Sequence, residues 1–117
     1  MSKRKLPKGE ETIPIVEIEG RFHTPQDLRK QPYLLRQVLG ARVLTVSEKL
    51  LIERVRERSR QGRERTVYRF DRENPELSPE DQIWHMERRT TIGKELLEAE
   101  QKLLEEELAI LKETAGM

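Results

Sequence analysis

The chain contains no cysteine, so disulfides, thiolate metal sites and cysteine nucleophiles are excluded together. Aromatic residues make up only 4% of it, too few for a base-stacking platform or an aromatic-lined ligand pocket. No apolar run approaches the roughly 18 residues needed to span a bilayer. The basic start, Met1 to Leu6, has no apolar segment behind it, so no secretory leader is expected and the cytoplasm is the predicted location. An excess of one charge is also missing. Lys and Arg number 23 and Asp and Glu 22, for a net charge of +1, which argues against both a histone-like polycation and an acidic solvating tail. Asparagine occurs once, at Asn74, beside nineteen Glu and fifteen Arg, a balance like that of proteins that work hot.

What is present is the material of one small domain. At 117 residues and 13.9 kDa the chain is long enough for a modest core, and Leu, Ile, Val and Phe together supply 30 residues. Charged residues are 38% of the whole, so the charges must largely answer one another.

Residues 1–11 are polar, contain Pro7 and Gly9 and carry four basic against two acidic residues; they read as a flexible basic tail. In residues 12–24, Val16 and Ile18 alternate with Glu17 and Glu19 before Gly20. That pattern predicts a strand that turns at Glu19-Gly20 and returns through Phe22, with Pro14 marking an edge. Thr24-Pro25-Gln26-Asp27 is a helix start, with a hydroxyl cap, proline in the first turn and an acid at the positive end. Leu28, Leu35 and Leu39 follow at helical spacing toward Gly40, and Pro32 predicts a kink or two short helices meeting there.

Residues 41–72 admit two readings. Good helix formers and a capping box over residues 45–48 favour a helix at 47–60. The two-residue alternation of Arg54, Arg56, Arg58 and Arg60 favours a β-hairpin, since a helix would set like charges four apart. A three-residue loop ending at Gly62 opposes Arg58 to Glu64, Glu57 to Arg65, Val55 to Val67, Glu53 to Arg69 and Ile52 to Phe70. Each such pair contributes about 0.2–1 kcal/mol. The favoured expectation is therefore a hairpin over 50–71, with 41–46 as a candidate third strand.

After the loop at 71–77, Ser78-Pro79-Glu80-Asp81 repeats the helix-start chemistry and predicts a helix to about residue 114, bent near Thr90 to Gly93. On a helical wheel Ile92, Leu96, Leu97, Ala99, Leu103, Leu104, Leu108, Ile110 and Leu111 form one broad apolar arc that also contains Glu100 and Glu107. Two carboxylates on an apolar face must meet cations or stay wet. Residues 50–72 carry eight Arg against three Glu and one Asp, while residues 95–113 carry seven Glu against two Lys. The expectation is that the arginines meet these glutamates, within a chain or between chains.

The predicted fold class is α+β, with a small domain over 12–77 and a long C-terminal helix over 78–114. The predicted function is that of a non-enzymatic assembly subunit, self-associating or built into a larger complex such as a phage, where the location would be the virion. Its expected partner surface is Leu96, Leu97, Glu100, Leu103, Leu104, Glu107, Leu108 and Leu111. The alternative is a small nucleic-acid-binding regulator using Arg54, Arg56, Arg58, Arg60, Arg63 and Arg65, with Tyr68 to stack a base; a sequence pI near 8.0 falls short of the basicity typical of such domains. Asp81 and His85 stand one turn apart but have no third ligand beside them, so no metal is expected. Thr24, Ser47 and Ser78 read as caps rather than nucleophiles, and no small-molecule substrate or cofactor is expected.

Overall fold

A computed structural model describes residues 5–7, 9–40, 46–62 and 77–114. The architecture is α+β, with one antiparallel hairpin and five α-helices among the described residues. Strands β1 (Val16–Ile18) and β2 (Arg21–His23) pair Val16 with His23, Glu17 with Phe22 and Ile18 with Arg21. Glu19 and Gly20 both take positive φ, 51° and 79°, the backbone that a two-residue hairpin turn requires.

Helix α1 (Pro25–Arg29) begins with a complete capping box. The Thr24 hydroxyl accepts from the Asp27 amide at 3.1 Å, and the Asp27 carboxylate accepts from the Thr24 amide at 3.0 Å. Helix α2 (Pro32–Gly40) starts on the proline, so the expected break takes the form of two short helices.

Helix α3 (Glu48–Arg60) corrects the favoured reading of residues 50–71. Residues 50–60 are helical, capped by Ser47, whose Oγ accepts from the Leu50 amide at 3.1 Å. Gly62, read as the left-handed position of a hairpin loop, has φ 66° and follows the C-cap Gln61, the ordinary place for a helix-ending glycine. The like-charge objection to a helix fails because every described arginine of the series is answered by carboxylates. The predicted return strand, and nearly all of the candidate strand at 41–46, lie outside the described residues.

Helices α4 (Pro79–Arg88) and α5 (Thr91–Thr114) replace the single bent helix. Ser78 caps α4, Arg89 leaves it in the left-handed conformation at φ 52°, and the Thr90 hydroxyl accepts from the Gly93 amide at 2.9 Å to start α5. Gly93 is not the breaker but a contact point. A Cβ there would lie 2.0 Å from the His85 carbonyl oxygen, so only glycine lets α5 approach α4 this closely. Gly93→Ala is expected to destabilise by about 1–3 kcal/mol, as overpacked cores do; denaturant unfolding that matches the parent would contradict this close crossing.

One core joins all the helices. Leu28 of α1, Val38 and Leu39 of α2, Leu50 and Leu51 of α3 and Met86 of α4 meet Leu96, Leu97, Leu104 and Leu111 of α5, with Ile15 and Val16 closing one side.

A buried arginine–glutamate cluster as candidate functional site

Helix α3 buries Leu50, Leu51, Arg54 and Arg58, a stripe with helical spacing that carries two guanidinium groups into the core. Arg54 is 0% exposed. Its Nε donates to Glu100 at 3.2 Å, its Nη2 to Glu107 at 2.6 Å and its Nη1 to the Pro14 carbonyl at 2.7 Å. Arg58, one turn on, donates through Nε and Nη2 to both oxygens of Glu10 at 2.9 and 3.1 Å. Through Nη1 and Nη2 it donates to both oxygens of Glu100 at 2.5 and 3.1 Å. Such two-pronged contacts are the strong, directional form of the ion pair.

The expectation that arginines of 50–60 meet Glu100 and Glu107 agrees with this geometry, and the pairing is within one chain. The third acid, Glu10, was missed. Residues 10–12 form a short 3-10 helix, Glu10 is buried, and Glu11 takes Arg29 at 2.9 Å, so the last part of the predicted tail is folded structure. No local signal marks Glu10, because its partner lies 48 residues away.

Two cations face three acids, so the cluster is one negative charge in excess when all are ionised. Burial pushes the Glu100 carboxyl up, but hydrogen bonds and charge from Arg58, with Arg54 behind them, outweigh it and hold Glu100 below the usual carboxylate value. Among the described residues Glu107 has only Arg54 as a hydrogen-bond donor. Burial raises it to about 7, the charge of Arg54 opposing and that of Glu10 adding. Its Oε1 is buried without a hydrogen-bond partner among the described residues, the natural seat of the proton that makes the cluster neutral.

The other two described arginines of the expected basic patch are also answered. Arg56 meets Glu53 at 2.7 Å and Glu87 at 3.6 Å, and Arg60 pairs with Glu53 and Glu57. Arg63 and Arg65, like Tyr68, lie outside the described residues. The residues of the expected partner surface divide by burial within the chain. Leu96, Leu97, Glu100, Leu104, Glu107 and Leu111 point into the chain's own core, Leu103 and Leu108 are half-buried, and Ala99 is exposed. Helices α2, α3 and α4 all pack on α5, and the arc they bury leaves Ala99 outside it.

Chemically the cluster is a closed set of ion pairs that fixes α3, α5 and the segment before β1 to one another. Among the described residues no group of three or more His, Asp or Glu is placed to hold a metal, and no helix is long and apolar enough to cross a membrane. His85 Nδ1 lies 2.8 Å from the Thr90 hydroxyl, in the joint between α4 and α5. Compared with protein-family models, with curated proteins and with solved structures, the chain matches none.

Proposed function

We propose that the protein is a non-enzymatic assembly subunit, associating with copies of itself or built into a larger particle such as a phage, and working in the cytoplasm or, in that last case, the virion. One observation carries this reading. Tyr33 and Trp84 are the exposed large hydrophobics among the described residues, at 71% and 48%, and each is followed by an arginine three or four residues on. Arg88 lies over the Trp84 ring at 4.2 Å, and Arg36 follows Tyr33 by one turn of α2. Tyr, Trp and Arg are the residue types that dominate protein–protein contact energies. The nucleic-acid alternative loses its main support, because the four described arginines of the proposed basic patch spend their charge on this chain's own glutamates.

Light scattering on the purified chain tests the reading. The expected mass is at least twice 13.9 kDa at the higher concentrations. A monomer throughout would contradict self-association.

A further inference from the structure

The reading above leaves open which surfaces meet, and the charge pattern supplies an answer. From residue 28 to residue 47 the chain has no acid, though acids number 22 in 117 residues overall. This stretch contains α2, whose outward face presents Tyr33, Arg36 and Gln37, with Lys30 just before it. Gln37 Nε2 donates to the Tyr33 hydroxyl at 3.2 Å, which holds the ring along the helix. Arg29 is answered by Glu11, but Lys30 and Arg36 have no acid partner among the described residues. The face is therefore an ordered aromatic between two unspent cations.

Its complement is on the same molecule. The outer face of α5 exposes Glu95, Glu98, Glu105 and Glu106. Lys102 reaches Glu98 at 3.7 Å, whereas Glu95, Glu105 and Glu106 have no cation among the described residues. At 1.5 Å per residue Glu95 and Glu106 are about 16 Å apart along the helix, somewhat more than the roughly 13.5 Å length of α2, so meeting both acids takes the outward reach of the long Lys30 and Arg36 side chains. Exposed Ala99, one turn after Glu95, leaves room for a ring between the acids.

We propose that the outer face of α2 docks on the outer face of α5 of a second copy, Tyr33 against the Ala99 region and Lys30 and Arg36 against Glu95 and Glu106. This rests on the self-association reading and specifies it. Because the two faces differ, two copies that make the contact reciprocally close a twofold dimer, whereas a pair that makes it once is head-to-tail and propagates into a ring or a filament. A protein partner fits better than nucleic acid, since two free cations are few beside the six to ten phosphate contacts of a strongly salt-dependent binder.

A charge swap read by sedimentation velocity on the full chain tests it. Lys30→Glu with Arg36→Glu leaves both faces acidic, and Glu95→Lys with Glu106→Lys leaves both basic. All four sites are exposed, and circular dichroism melts verify that each variant folds. Each variant alone is expected to run as a monomer and their mixture to assemble again, while Arg36→Gln weakens association about tenfold. A parent that assembles while the variants assemble unchanged overturns the proposed interface and leaves the assembly reading standing. A mixture that stays monomeric overturns the interface as well. A parent that is monomeric at every concentration overturns both, and if Lys30→Glu with Arg36→Glu then abolishes retention of a single-stranded oligonucleotide, the α2 face is a nucleic-acid surface instead.

Discussion

Replacing Arg54 by methionine is expected to lower the unfolding free energy by about 3–5 kcal/mol, much of what a small domain has. Methionine fills the space but removes the donors to Glu107, Glu100 and the Pro14 carbonyl. Glu100 keeps both contacts from Arg58, so the cost falls mainly on Glu107, left buried with no hydrogen-bond donor. Adding Glu107→Leu to the same chain is expected to recover a large part of the loss, because a matched apolar pair in a core is tolerated where a lone carboxylate is not. The outer arginines provide the contrast. Arg60→Met removes exposed pairs to Glu53 and Glu57 and should change stability by about 0.5 kcal/mol or less. Urea unfolding of these variants checks the set. An Arg54→Met cost below about 1 kcal/mol would mean that the guanidinium is not the hub of the interior.

Stability is expected to fall as pH rises from 5 to 8, opposite to the usual behaviour of proteins held by carboxylates. Glu107 is raised in the folded state from 4.5 to about 7, so between those values the folded chain keeps a proton that the unfolded chain releases. Unfolding is then progressively favoured up to pH 7 and changes no further above it; at about 1.4 kcal/mol per unit the loss is on the order of 3 kcal/mol. Glu100 acts in the other sense. Its lowered value contributes stability that is fully present above the ordinary carboxylate range and is lost as pH falls through its folded value. The two together place the optimum near pH 5. Glu107→Gln is neutral at every pH, so it should match the parent near pH 5, exceed it at pH 8, and flatten the slope between them. Thermal unfolding at the two pH values decides; a parent as stable at pH 8 as at pH 5 contradicts the expectation.

The elements legible in the sequence are those fixed by local chemistry. Thr24 and Ser78 with their following prolines, the alternation ending at Glu19-Gly20 and the break at Pro32 each act within a few residues, and each is found where the pattern puts it. Residues 47–60 were harder, because charge spacing of two can be satisfied by a strand face or by a helix with different partners on its two sides. Arg54 and Arg58, four apart, turn inward to Glu10, Glu100 and Glu107, while Arg56 and Arg60 turn outward to Glu53, Glu57 and Glu87. The helical stripe Leu50, Leu51, Arg54, Arg58 was the decisive signal, but its second half is visible only once arginine is allowed in a core. The same inversion hid the true use of α5. Glu100 and Glu107 on a leucine face do imply waiting cations, yet nothing local distinguishes cations of the same chain from those of a neighbour. Glu10 and Gly93 were invisible for the same reason, since the groups that give them meaning come from elsewhere in the fold.

The account therefore turns on one interior carboxyl, the acid for which the cluster has no cation to spare. Side-chain carboxyl carbon NMR on glutamate-labelled protein, titrated from acid to pH 9, reads it directly. The structure predicts that one buried glutamate, lost from the spectrum of Glu107→Gln, titrates near 7, while another, assigned to Glu100, titrates below the usual carboxylate range. If all the glutamates instead titrate together in the ordinary range, these acids are in water, and the arginine-centred interior described above is wrong.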